Sequence, residues 1–234
     1  MNLNKFLLFG LATTIILFFG WFFLSEDQTK TVTTLTVKSL DTAPPSIAEY
    51  KFGRDYGSLS RPLPIKKDGI VDVVEVFWYG CGHCYNLEPV VENWAKKQDR
   101  GVNFKKMPVT WGPTHRLHAK LFYTIEVLGM GDKAHTAVFA AIHNKSKPNY
   151  LGSEDAILSF LEKLGVERSK AIKYMNSFSV KQKVKRAVEL SRQFKVTAVP
   201  MIFVDGQYRI EAKRSHSEML KVVDHVIDLQ RPVS

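Results

Sequence analysis

At 234 residues, 45% of them hydrophobic, the chain has apolar material for one sizeable domain or for a domain carrying an insertion. Its formal charge of +10, from 33 Lys and Arg against 23 Asp and Glu, reads as a solvated basic face. Zinc-finger spacing, an aromatic RNA-binding signature and an arginine-rich arm are all missing, so no nucleic-acid partner is expected. The two cysteines, Cys81 and Cys84, are too few and too close for a disulfide framework or a structural zinc centre, and no metal or cofactor is expected.

After Lys5 an uncharged run extends from Phe6 to Leu24, which as a helix spans roughly 28 Å, close to a bilayer's hydrocarbon thickness. The exits Gly20-Trp21 and Phe23-Leu24-Ser25 carry bulky residues where signal cleavage needs small ones. Residues 1–25 are therefore read as an uncleaved signal anchor with a transmembrane helix. A cleaved signal that leaves a soluble exported protein is the alternative. Lys5 before the span, with Glu26 and Asp27 after it, puts the N-terminus in the cytoplasm and the remainder at the outer face. Residues 26–46 are Thr-rich, end in Pro44-Pro45 and read as a stalk, although the alternation from Val32 to Val37 also suits a strand. On this reading the remaining chain works in an oxidising space.

Val71 to Trp78 is a near-continuous apolar run, as in a strand buried on both faces. Leu87, Val90, Val91 and Trp94 recur at helical spacing and predict a helix from about Cys81 to Gln98, followed by a strand from Val102 to Val109. From Pro113 to Phe178 the pattern is helical. One stripe is Leu117, Leu121, Ile125 and Leu128; a second is Ala134, Val138, Ala141 and Ile142, with Asp132 as its cap; a third is Ile157, Phe160, Leu161 and Leu164, between Ser153 and Gly165. Val180, Val184, Ala187, Val188 and Phe194 mark a longer basic helix. Pro200 to Val204 then reads as a strand, Asp205-Gly206 as a turn and Gln207 to Ile210 as its partner. Ser215 and Glu218 form a capping box for a last helix through Leu229. The expected fold class is α/β: one domain, with a helical domain inserted in it.

The chemistry is expected at the start of the first helix. Unpaired N–H groups and the positive end of the dipole favour a thiolate at Cys81, and the thiolate is the species that attacks disulfides. Cys84, one turn inward, can reach Cys81 and resolve a mixed disulfide, and His83 adds a polar, potentially cationic neighbour. Glu75, inside an apolar strand, reads as a buried proton acceptor or relay for Cys84, with Lys106 as its partner on the next strand. Val199-Pro200 precedes a strand, where a proline is tolerated, and is a weak signal by itself.

Together these residues resemble bacterial DsbA, the disulfide-introducing enzymes of the periplasm. The resemblance runs from about Tyr50 to Leu229 and rests on Val74-Glu75-Val76-Phe77 ahead of Cys81-Gly82-His83-Cys84-Tyr85, on Val199-Pro200 with the strand and turn through Tyr208, and on the length of the helical block between them. It implies a thioredoxin fold with an inserted helical domain, divided as residues 47–112, 113–179 and 180–234. It also implies Cys81 as nucleophile, Cys84 as resolving cysteine, Glu75 as buried acid and Lys106 as the lysine near it. Pro200 is then a cis-proline which, with Val199, lies against the cysteines and pairs with substrate backbone. The implied partners are unfolded or partly folded exported proteins and a DsbB-like membrane quinone reductase, with the membrane itself engaged through residues 6–24.

One departure stands out. The dipeptide is Gly82-His83, as in protein disulfide isomerases, where the best-known DsbA form has Pro-His. An isomerase or reductase of the same compartment is therefore the alternative, and a membrane-tethered chaperone with incidental cysteines is a third reading.

Overall fold

The apolar run ahead of the cysteines forms an interior strand of a five-stranded mixed sheet. The computed structural model describes residues 50–64, 69–146, 150–213 and 215–231; the expected anchor, the stalk and the Val32–Val37 strand lie outside them. Among the described residues no helix is long and apolar enough to cross a membrane.

In chain order the elements are β1 (Tyr56–Ser58), β2 (Val71–Phe77), α1 (Gly82–Ala95) and β3 (Val102–Pro108), then α2 (Pro113–Val127), α3 (Gly131–His143), α4 (Glu154–Lys163), α5 (Arg168–Met175) and α6 (Phe178–Gln193), and finally β4 (Met201–Val204), β5 (Tyr208–Glu211) and α7 (His216–Gln230). The strands lie in the order β1-β5-β4-β2-β3. Only β2 and β3 are parallel, as the crossover through α1 requires; β4 runs antiparallel to β2, and β5 to β4.

Period-two alternation divides β2 between two cores. Val71 and Val73 join Leu87, Val91 and Trp94 of α1, Ile202 and Val204 of β4, and Val223, Val226 and Ile227 of α7. Val76, with Met107, Met201 and Phe203, instead joins Leu121 and Phe139 of the helical block. Each fully buried aliphatic side chain of this kind contributes about 1.5–3 kcal/mol. The sheet is thus gripped on both faces, which holds the β2–α1 junction rigidly.

Local signals explain most element ends. The Ser153 side chain accepts from the Ala156 N–H at the start of α4, and the Ser215 side chain accepts from the Glu218 N–H at the start of α7, as expected. Asp132 is not the cap of α3. Gly129 and Gly131 both take positive φ (67° and 65°) around Met130, so the cap position falls on Met130 and Asp132 lies inside the first turn. Two elements had no expectation. The helix α5 buries only Ala171 and Met175, too few residues to make a stripe, and is capped by Glu167. The three-residue β1, with Gly57 at its centre, exists through its pairing with β5.

Candidate functional site

The buried positions of α1 include Cys84, Leu87, Glu88, Val91 and Trp94, an i, i+3, i+4, i+7 pattern that turns Cys84 inward. Cys81 is the N-cap residue, with extended backbone at φ −90° and ψ 117°. The turn into the helix is tied by Cys81 N–H to the Trp78 carbonyl at 2.9 Å and by Tyr85 N–H to the Cys81 carbonyl at 3.0 Å. Cys81 is partly exposed, Cys84 is buried, and both are free thiols.

This placement separates the two sulfurs chemically. The Cys81 thiol is pushed down to about 6. The largest cause is the hydrogen bond from the Cys84 thiol; burial opposes it, and the Cys84 and His83 backbone N–H groups and the His83 charge assist it. The Cys84 thiol is pushed up by donating that bond and by burial, with the nearby Cys81 and Glu75 charges adding to the effect. Near neutral pH the reduced pair is a Cys81 thiolate accepting from a Cys84 thiol. When protonated, the Cys81 sulfur lies 3.6 Å from the Val199 carbonyl and donates to it. The Val199-Pro200 peptide is cis, and Pro200 is buried. His83 is exposed.

Glu75 is 1% exposed, and its carboxyl is pushed up to about 8 by burial. Lys106 opposes that rise, while Glu88 and Glu92 add to it. Lys106 stands opposite Glu75 in the β2–β3 register. Its ammonium bonds elsewhere, to Glu88 at 3.0 Å and to Glu92, so it acts on Glu75 through space. Glu75 Oε2 has no hydrogen-bond partner among the described residues. Sequence reasoning missed Glu88 and Glu92, although their spacing of four and eight residues from Cys84 places all three on one helical face.

A cleft of about 790 Å³ is lined in part by Trp78 and Gly80, just before Cys81 in the chain, and by His115, His143 and Tyr150. Gly80 is required there: a Cβ would lie 2.4 Å from the Trp78 ring. The indole N–H of Trp78 donates to His118 Nδ1 at 3.1 Å, so the neutral imidazole carries its proton on Nε2 and donates it to the Tyr150 carbonyl at 3.1 Å. Burial keeps His118 below the usual imidazole range.

Comparison with known proteins agrees with this geometry. Residues 101–219 match the DSBA-like thioredoxin domain family. The thiol:disulfide interchange protein DsbA of Pseudomonas aeruginosa is 36% identical over 185 residues, covering 78% of this chain and 87% of that protein. Its counterpart in Azotobacter vinelandii is 35% identical over 188 residues, covering 80% and 87%. Among solved structures, P. aeruginosa DsbA superposes with a TM-score of 0.72 at 36% identity, over 77% of this chain and 94% of that one. DsbA from Xylella fastidiosa gives 0.68 at 26% identity, over 75% and 95%.

Proposed function

We propose, for a chain that belongs to the DsbA family and is a thiol:disulfide oxidoreductase, that it donates a Cys81–Cys84 disulfide to exported proteins. The observation that carries this reading is the asymmetry between the sulfurs: one held as thiolate at the partly exposed mouth of α1, the other kept a buried thiol.

In the proposed cycle a substrate thiolate attacks the sulfur of Cys81. The Cys81–Cys84 bond breaks, and its electron pair goes to the Cys84 sulfur, which takes a proton. Glu75, pushed up to about 8, is mostly protonated at neutral pH and supplies that proton. The second substrate thiolate then attacks the substrate sulfur of the mixed disulfide. The substrate disulfide forms, and Cys81 leaves as a thiolate, the better leaving group for its low pKa. Two electrons have passed from substrate to enzyme, and a DsbB-like membrane quinone reductase removes them. The Val199 backbone beside Cys81 pairs with the incoming chain as an added strand, and the exposed His83 favours the Cys81 anion.

Trapping the thiols of living cells with acid and an alkylating agent tests this reading. A mostly oxidised Cys81–Cys84 pair supports the oxidase. A mostly reduced pair supports the isomerase or reductase reading, which the Gly82-His83 dipeptide favours. Full biological activity in a Cys81→Ser variant would support the chaperone reading and remove both. Residues 6–24 are proposed to hold the domain at the periplasmic face of the inner membrane, with residues 26–46 as a stalk. A chain that resists alkaline extraction and keeps its N-terminus supports the anchor; a shortened, extractable chain supports the cleaved signal.

A further inference from the structure

The proposed cycle leaves unused a chain of buried polar side chains that begins two residues before Cys81 and leads back to Glu75. The Tyr79 hydroxyl lies 2.7 Å from His135 Nδ1, and His135 Nε2 lies 3.1 Å from Glu88 Oε2. Lys106 reaches the other oxygen of Glu88 at 3.0 Å. Tyr79, Glu88 and His135 are each at most 3% exposed. The imidazole is packed among the rings of Phe77, Phe122 and Phe139, at centroid distances of 5.1, 5.6 and 5.2 Å.

Donor and acceptor counting allows one proton arrangement. Burial keeps His135 neutral and Tyr79 a phenol. Burial also works against the Glu88 carboxylate, but the hydrogen bonds it accepts from His135 and Lys106, with the Lys106 charge, prevail and hold it ionised. A carboxylate only accepts, so His135 Nε2 carries the imidazole's single proton and Nδ1 is bare. The Tyr79 O–H therefore donates into Nδ1, and the chain runs Tyr79 to His135 to Glu88.

We propose that His135 is a positioning residue: held by Tyr79, it pins Glu88 against Lys106 and thereby governs whether Glu75, on the other side of that lysine, keeps its proton. The inference rests on the proposed function for its catalytic meaning, with Glu75 as proton partner of Cys84. The groups facing Glu75 are Lys106 from β3 and Cys84, Glu88 and Glu92 from α1; those facing His135 are Tyr79, Glu88, Glu92 and Lys106. Without the imidazole donor, Glu88 either takes a proton or moves off Lys106. In both cases the ammonium is less neutralised and the ionised form of Glu75 gains.

Infrared titration of the full-length reduced protein tests this, following the carbonyl stretch of the protonated buried carboxyl that Glu75→Gln removes. In His135→Phe the Glu75 midpoint moves acidward by about one pH unit, and in Tyr79→Phe by less. Glu88→Gln moves it the same way, and adding His135→Phe to Glu88→Gln moves it no further. His135→Gln, whose amide can donate to Glu88, returns it toward the parent. An unmoved midpoint in His135→Phe, or in Tyr79→Phe should the first variant not fold, overturns the proposal. A midpoint that moves while the pH profile of disulfide transfer does not upholds the positioning by His135, and overturns instead the role given to Glu75 at Cys84.

Discussion

Cys81 and Glu75 are both acids moved about three pH units from their ordinary values, in opposite directions, by different causes. Hydrogen bonding to the anion lowers Cys81, so iodoacetamide should alkylate it in the reduced protein with a midpoint near pH 6. A midpoint near 8 would remove the basis for an activated nucleophile. Burial raises Glu75 from 4.5 to about 8, so the folded state holds that proton more tightly than the unfolded one. Its stabilising contribution is complete below about pH 4.5 and is lost as pH rises through 8, on the order of 5 kcal/mol in all. Glu75→Gln should flatten this fall, and urea unfolding at pH 5 and pH 8 measures it. The gain relative to the parent should appear at pH 8 and be small at pH 5. Oxidised parent and Glu75→Gln proteins, in which Cys81 does not titrate, that fall alike from pH 5 to pH 8 would show that Glu75 is not buried as described.

At the level of elements, the active helix is positioned by what touches its two ends. At its start, Gly80 lets the Trp78 ring lie flat against the chain. Gly80→Ala should displace that ring, break its bond to His118 and destabilise the protein by about 1–3 kcal/mol. Unfolding measurements, with indole fluorescence reporting the ring, check this. Near its end, the Trp94 N–H donates to Asp224 of α7 at 2.7 Å, and Trp94→Phe should cost about 1–2 kcal/mol. Trp94→Phe without loss of stability would mean that α7 does not brace α1 through this bond. The sequence was most legible where many residues repeat one signal, as in β2, α1 and α4. It was least legible for α5, with two buried contacts, and for β1, whose three residues carry no period of their own.

Across the whole molecule, the redox state and the stability of the fold are linked through Cys81. The thiolate exists only in the reduced form, and its depressed pKa contributes stability above its ordinary value near 9 that is lost as pH falls through about 6. At pH 7 this amounts to about 1 kcal/mol once the partial exposure of the thiol is discounted. The bridge itself closes too short a loop to offset much. The stability of the reduced protein relative to the oxidised protein should therefore grow from pH 5 to pH 8, as paired unfolding curves would show; a difference independent of pH would contradict it. The same coupling makes the oxidised state a ready donor, since transfer of its disulfide ends in the favoured thiolate.

The sequence alone determined the features whose parts lie close together along the chain: an apolar strand interrupted by the carboxylates of Asp72 and Glu75, two cysteines a helical turn apart, and a Val-Pro step before a strand. Covalent spacing and backbone periodicity place such residues relative to one another before any long-range contact forms. Tertiary structure alone decided who bonds to whom across elements. Lys106 joins Glu88 and Glu92 rather than Glu75, and Tyr79 and Glu88 meet His135 from 56 and 47 residues away. Those pairings follow from how helices settle on the sheet, because each buried donor must find an acceptor in the packed interior and local sequence carries no record of that choice.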